Sequence, residues 1–219
     1  MGNQALAKKG VIEAISTTQI GVGKDADVYV GVTPSGEKVA VKFNRIGGEN
    51  GLKKGRLPQS RLPRQAPHQL ALRFEADCKK EHEALVLLSP IARVPRPIAW
   101  NRHVVVMEFV EGTELAELRD TDLSREEAER ILDRVLEEYL KIVHFGIVHS
   151  DMSEFNIVLT KDGGDILIID WAQYITTAHP ESYELLKRDI IVLLNAFRRR
   201  WRVKKEFEKV WPEFESAGR

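Results

Sequence analysis

The chain reads as an α+β protein in which strands dominate the first half and helices the second. Three observations carry that expectation. Within residues 20–43, short apolar alternations are punctuated by glycine turns, as in a strand meander. Within residues 125–144, apolar residues recur at i, i+3 and i+4, the stripe of an amphipathic helix. After it, a polar loop at 150–156 and the apolar run Ile166-Leu167-Ile168-Ile169, ending in Asp170, read as a loop and two strands.

Residues 1–15 are expected to form a lead-in helix or linker, with Leu6, Val11 and Ile12 available for packing. Ile20-Gly21-Val22-Gly23-Lys24-Asp25-Ala26-Asp27-Val28-Tyr29 reads as strand, glycine turn, strand. Glycines there let backbone N–H groups approach a phosphate with no Cβ in the way. Ala26 stands where a Gly-x-Gly-x-x-Gly loop has its third glycine, and a strand follows rather than a helix. A dinucleotide-binding unit is therefore excluded. The third strand, 37–43, carries Lys42 between apolar neighbours. An ammonium there is costly to desolvate unless paired, so nucleotide phosphates together with a glutamate are expected around it.

Residues 47–67 hold glycines, prolines and few large apolar side chains, and are expected to form a long mobile loop. A helix is predicted over 69–88, ended by Ser89-Pro90, then strands over 94–99 and 104–110, the second broken by Gly112. Ser124 and Glu127 make a capping box for the helix at 125–144, which Gly146 ends. Ala128, Ile131, Leu132, Val135, Leu136, Tyr139, Leu140 and Val143 form its core face, and its charged residues need no role beyond solvation. Two further helices are predicted over 181–200 and 204–215.

Composition narrows the class. The 219 residues carry 33 basic and 33 acidic side chains, so no global field draws the chain to nucleic acid or a membrane. Hydrophobic residues make up 43%, enough for a core. The single Cys78 permits no internal disulfide, fits a reducing compartment, and falls in a predicted helix as an inert, partly buried thiol. Met1-Gly2-Asn3-Gln4-Ala5-Leu6 shows no apolar signal core, and Leu6 stands where a myristoylation signal has Ser or Thr. The apolar runs at 104–107 and 166–169 are far short of the ~20 residues that span a bilayer. A soluble, cytoplasmic protein is expected, with neither membrane nor DNA as partner.

The chemistry lies in Asp151, Asn156 and Asp170. Phosphoryl transfer from Mg-ATP needs a carboxylate for the attacking hydroxyl and oxygen ligands for the metal, and an Asp-x-x-x-x-Asn spacing with a later Asp supplies both. That spacing alone is common in turn-capping loops. Its weight comes from the order of parts: glycine loop, strand lysine, helix with glutamates, paired strands, long helix, Asp-to-Asn loop, metal aspartate. This is the order of the protein-kinase fold, two lobes with a β-rich N-lobe over 16–110 and a helical C-lobe over 111–219. The C-lobe is expected to be reduced, because the 49 residues after Asp170 leave no room for an ordinary activation segment and its helices.

That shortening, with the motif wording, resembles the RIO family of atypical kinases. The segment from Ile20 to Tyr29 looks like the RIO glycine loop. His149-Ser150-Asp151-Met152-Ser153-Glu154-Phe155-Asn156 resembles its catalytic loop, and Ile168-Ile169-Asp170-Trp171-Ala172-Gln173 its metal loop. Ala178-His179-Pro180 and Lys187-Arg188-Asp189 resemble the segment that follows. Asn101-Arg102-His103-Val104-Val105-Val106-Met107-Glu108 is most similar to the branch with an N-terminal winged helix, although only about fifteen residues precede the glycine strand and no winged helix is expected here. Ser153 is closer to the other branch.

The resemblance implies roles. Gly21, Val22, Gly23 and Lys24 would cover the phosphates, and Lys42 would contact the α- and β-phosphates. Lys80-Glu81-His82 matches the family's pattern for the lysine's partner, which favours Glu81 over Glu75 and Glu83. Met107 would back the adenine, with Glu108 and Val110 offering backbone groups to its edge. Asp151 would orient or deprotonate the acceptor, while Asn156 and Asp170 would hold Mg²⁺, or Mn²⁺ in its place. His149 is expected to be structural. Ser150 stands where many kinases have an arginine that reads a phosphorylated activation loop. Two basic stretches, in 53–64 and 198–205, read as a solvated loop and a helix surface offset by acids elsewhere, while the resemblance implies as the alternative a contact with a small ribosomal subunit precursor, through its protein or rRNA. The resulting expectation is an ATP- and Mg²⁺-dependent Ser/Thr kinase or ATPase of ribosome maturation. A small-molecule kinase of the same fold and a nucleotide-binding assembly factor with little turnover are the alternatives.

Overall fold

In the computed structural model, residues 10–22, 26–44, 67–161 and 163–219 are described. Gly23, Lys24, residues 1–9 of the lead-in segment and residues 47–66 of the expected mobile loop lie outside them. The chain divides into two compact units, one holding the residues up to Glu83 together with Arg96–Phe109, the other Ala84–Pro95 and Val110–Arg219.

The first unit is built on a five-stranded antiparallel sheet of β1 (Ala14–Val22), β2 (Ala26–Val32), β3 (Lys38–Asn44), β4 (Pro97–Asn101) and β5 (Val104–Glu108), in the order β1-β2-β3-β5-β4. The β-branched residues alternate, so the pleat sorts them by face. Val39 and Val41 pack with Val104, Val106 and Ile12 in one buried cluster. The register sets Lys42 opposite Val28 and Val105, and Ala40 opposite Val30 and Met107, so these six share the other face. Helix α1 (Pro67–Leu88) follows and buries Cys78 completely. The thiol expected to be partly buried is fully so.

The second unit packs α2 (Arg125–His144), α3 (Ser182–Trp201) and α4 (Phe207–Ala217) with two small antiparallel sheets. One sheet pairs β6 (Gly112–Glu114), β8 (Ile157–Thr160) and β9 (Ile166–Ile168), and the other pairs β7 (Ile147–Val148) with β10 (Ile175–Thr176). The capping box forms: Glu127 N donates to Ser124 Oγ at 3.2 Å, and Ser124 N to Glu127 Oε2 at 2.8 Å. Gly146 follows α2 at φ +95°, a left-handed turn that glycine adopts without strain.

Several expectations change. Glu138 is not a solvated residue of α2. It is 2% exposed, accepts from Arg93 N at 2.9 Å, and pairs with Lys141 Nζ at 2.9 Å. Ile168 N in turn donates to Arg93 O at 2.9 Å, so the chain around Arg93 is tied to the second unit and β4 starts only at Pro97. The strand expected over 104–110 stops at Glu108, and Gly112 opens β6 instead of breaking β5: a Cβ there would meet Leu159 O at 2.4 Å, so only glycine fits beside β8. None of the described helices is long and apolar enough to cross a membrane.

Candidate active site

In the first unit, β3 presents Lys42 on the face opposite the valine cluster. Its Nζ lies 2.7 Å from Glu81 Oε1, and the two side chains are 10% and 1% exposed. The other two glutamates considered are elsewhere. Glu83 is exposed and pairs with Lys79 at 3.6 Å, one helical turn back, and Glu75 is exposed. The buried Cys78 thiol, close to this pair, is pushed up to about 12 by burial and then by the Glu81 charge. Val28, Val30, Ala40, Val105 and Met107 surround the buried Lys42 on its sheet face, while Lys38 and Asn44 stand two and one alternate positions away on the same strand face. Gly21 pairs with Val28 and Val22 with Asp27, which sets the glycine strand beside that face. Glu108 N is engaged by Arg96 O at 2.8 Å, so the backbone group it has to offer a ligand is its carbonyl.

In the second unit, the catalytic-loop candidates converge. Asn156 Nδ2 donates to Asp151 O at 2.8 Å, which closes the loop and turns the amide oxygen outward. Ile169 N donates to Asn156 O at 3.0 Å, continuing the β8–β9 ladder and setting Asp170 beside Asn156. Asp151 and Asp170 are both exposed. Asp170 has φ +64°, a left-handed conformation uncommon for a non-glycine residue. Val110, the first residue of this unit after the sheet, is half-buried and shares a shallow cleft with Glu111, Thr160 and Lys161.

The loop is held from below by a residue that the sequence offered only as part of a motif. Asp189 of α3 is fully buried. Its Oδ2 accepts from Ser150 N and from Tyr139 Oη, both at 2.8 Å, and Arg188 Nη2 lies 3.3 Å from its Oδ1. Tyr139 Oη also accepts from His149 N at 3.2 Å. Ser150 has φ +64°, and Arg188 donates to its carbonyl while its hydroxyl donates to Gln173 O at 2.6 Å. A left-handed non-glycine residue costs of order 1–3 kcal/mol, and every polar group of Ser150 is committed to holding it there. Burial raises the Asp189 carboxyl above its usual range, with His149, Tyr139 and Arg188 opposing the rise. His149 is fully buried, packs against Trp171 with ring centroids 4.5 Å apart and the planes tilted by 57°, and places Nε2 3.0 Å from Ile169 O, the geometry of a structural histidine.

The residues fit a hard divalent cation bound with a nucleotide. Asn156 and Asp170 offer one amide oxygen and one carboxylate, and Mg²⁺ dehydrates reluctantly, taking one or two protein oxygens plus substrate phosphates. Among the described residues there is no cluster of three or more His, Cys, Asp or Glu that would hold a metal without such help. A further carboxyl, Glu114 on β6, was missed. Burial, then Glu117, then Asp170 hold it above its usual range, so it lies within the field of Asp170. One of three glutamates spaced at 111, 114 and 117, it carries no sequence signal of that placement.

The C-terminal basic stretch is largely committed within the protein. Arg199 pairs with Glu154 at 2.9 Å, Arg200 with Asp120 at 3.0 Å and with Leu115 O at 2.5 Å, and Lys205 with Asp133. The other basic stretch, in 53–64, lies outside the described residues.

Residues 27–210 match the sequence profile of the RIO domain. A RIO-type serine/threonine-protein kinase Rio2 of Methanocaldococcus jannaschii is 35% identical over 209 residues, which cover 94% of this chain and 75% of that protein. A serine/threonine-protein kinase RIO2 of Caenorhabditis elegans is 29% identical, over 99% of this chain but 39% of its own length. The Rio2 kinase of Chaetomium thermophilum superposes with a TM-score of 0.78 at 20% identity, over 99% of this chain and 70% of that one. The same kinase in an ADP/Mg²⁺-phosphoaspartate complex gives 0.77 at 21%, over 99% of this chain and 68% of that one. These likenesses show the protein-kinase-like α+β fold.

Proposed function

This chain belongs to the RIO family and is a RIO-type serine/threonine-protein kinase, and on that premise we propose that Asp151, Asn156 and Asp170 carry phosphoryl transfer from Mg-ATP, to a hydroxyl or to water, in small ribosomal subunit maturation. The observation that carries the reading is the closure of the loop. The Asn156 amide bonds Asp151 O, and the Asn156 carbonyl accepts from Ile169 N, the neighbour of Asp170, which supports a reading in which the three residues act together.

Magnesium bound with the nucleotide would neutralise charge on the transferring phosphoryl group. Asn156 and Asp170 would hold it. Asp151 orients the attacking hydroxyl and takes its proton, being exposed and anchored through its own carbonyl. Lys42, fixed by Glu81, steers the α- and β-phosphates, which Gly21, Val22, Gly23 and Lys24 would cover. Met107 backs the adenine, and Glu108 and Val110 meet its edge. Mn²⁺ suits the same oxygen set. The buried, single thiol fits work in the reducing cytoplasm.

A second reading has its own support. The structural neighbour with ADP and Mg²⁺ carries a phosphoaspartate. Here an aspartate oxygen would bond the γ-phosphorus as the bond to the bridging oxygen of ADP breaks, and water would later release phosphate. The exposed Asp170 and Asp151 are the two carboxylates at the right strand end. This would make the protein an ATPase that uses nucleotide as a latch.

One experiment tests both: phosphate release measured beside transfer to the protein itself, to casein and to purified small ribosomal subunits. Mg²⁺-dependent turnover that EDTA abolishes is expected, and an acid-stable, hydroxylamine-labile label on the protein marks the second reading. Protein that binds no Mg-ATP and releases no phosphate under any of these conditions contradicts the proposal.

A further inference from the structure

Helix α3 buries Leu186, Asp189, Ile190, Leu193 and Phe197, yet its other face is no ordinary polar surface. Ile191 and Val192 are 38% and 37% exposed. At ~100° per residue, Arg188, Val192, Asn195 and Arg199 fall within about 40° of one line down the helix, with Ile191 and Arg198 beside it. Both ends of that line are tied to the catalytic loop. Arg188 donates to Ser150 O, and Arg199 Nη2 lies 2.9 Å from Glu154 Oε1. The stripe therefore runs alongside residues 150–156, next to Asp151. At the Arg199 end it opens onto a cleft of about 320 Å³ that Ala116, Asp120, Glu154 and Phe155 also line. Phe155 is 62% exposed, the most of any large apolar side chain described. Of the eight Lys or Arg in residues 185–205, Arg199, Arg200 and Lys205 are paired with Glu154, Asp120 and Asp133, while Arg198 bonds Asn195 Oδ1 at 2.6 Å; the one acid of the stretch, Asp189, is fully buried.

We propose that this stripe is where the phosphoryl acceptor docks, and that the occupant is an acidic polypeptide segment carrying a bulky apolar side chain. The inference rests on the kinase reading above. The apolar side chain would lie on Ile191 and Val192 towards Phe155, and its acidic neighbours would meet Arg198 and Arg199. That delivers a serine or threonine on the same segment to Asp151. A polypeptide fits better than RNA. Ile191, Val192 and Phe155 are exposed apolar side chains that offer nothing to a phosphate or a base edge.

The test is equilibrium binding of a labelled peptide, with one serine and one leucine among glutamates, read by fluorescence anisotropy without nucleotide. Wild-type protein binds it, and a peptide with lysines in place of the glutamates binds at least about tenfold more weakly. Ile191→Ser with Val192→Ser, and separately Arg198→Glu, each weaken binding by roughly tenfold. Circular dichroism and Mg-ATP hydrolysis without acceptor stay at wild-type values in both. Unchanged binding in the variants, or equal binding of the lysine peptide, overturns the proposal. Poly(U) binding that depends on Ile191 and Val192 overturns it in favour of RNA. A wild-type dimer in sedimentation that these variants dissociate overturns it in favour of a second copy. Because the peptide assay needs no turnover, an inactive wild type with this binding pattern defeats only the kinase reading.

Discussion

Lys42 and Glu81, 39 residues apart in sequence, meet at 2.7 Å with almost no access to water. The pair joins a sheet to a helix inside the first unit and fixes a buried cation among Val28, Ala40 and Val105. A buried ion pair is weak evidence for stability, because the desolvation of two charges opposes their attraction. Breaking it from one side is another matter.

Glu81→Ala should destabilise the protein by about 3–5 kcal/mol, since it removes the carboxylate from a buried ammonium. Lys42→Met combined with Glu81→Leu should restore most of that stability while leaving nucleotide affinity low. Urea unfolding and nucleotide titration measure the two quantities. A loss below about 1 kcal/mol for Glu81→Ala would show that the pair is not coupled.

Asp189→Ala should cost about 3 kcal/mol, because Ser150 N and Tyr139 Oη lose their common acceptor in the interior. Turnover should fall with it, since Ser150 carries the backbone into Asp151. Asp189→Asn keeps an acceptor oxygen and should be milder. Its pH dependence has a definite sign. Burial raises the Asp189 carboxyl in the folded state, so its contribution is full below the unfolded value and fades as pH rises through the raised one. The Asn variant should therefore gain on wild type as pH rises above the ordinary carboxylate range of about 4. Urea midpoints that move the opposite way as pH rises contradict the account.

Ser150 gives no arginine for a phosphorylated loop to engage, and its hydroxyl is bonded to Gln173 O at 2.6 Å. Activity should thus be the same before and after phosphatase treatment, for protein produced with no other kinase present. An activity that appears only after phosphorylation of the segment following Asp170 would oppose this.

Cys78 should resist iodoacetamide at about pH 8 in the folded protein and react once urea unfolds it, because its thiol is buried and its pKa is pushed up to about 12. Intact-mass measurement reads the adduct. Rapid modification of native protein would mean that α1 opens around Glu81.

Much of this was legible in the sequence because the signals were local. The capping box of Ser124 and Glu127, the periodic stripe of α2 and the alternation around Lys42 are each set by neighbours a few residues away. The catalytic spacing from Asp151 to Asn156 is likewise contained in one loop. What escaped depends on distant chain. Glu138 looks like a solvated helix residue until Arg93 N arrives from 45 positions away. Asp189 gains its meaning only when α3 passes beneath Ser150, and β7 and β10, two residues each, are too short to show a period. Arg200 illustrates the same limit: its charge suggested a binding surface, yet it is spent on Asp120 and the carbonyl of Leu115.

The central claim is that Asp151 serves chemistry while Asp170 serves the metal. The measurement that tests it most directly is Mg-ATP affinity beside single-turnover phosphate release, in wild type, Asp151→Ala and Asp170→Ala. Asp151→Ala should bind Mg-ATP like wild type and release phosphate roughly 10²–10⁴-fold more slowly, as expected for loss of a general base. Asp170→Ala should lose the Mg²⁺-dependent part of nucleotide binding. An Asp151→Ala protein that turns over at the wild-type rate, or an Asp170→Ala protein whose nucleotide affinity still rises with Mg²⁺ as in wild type, would contradict the assignment.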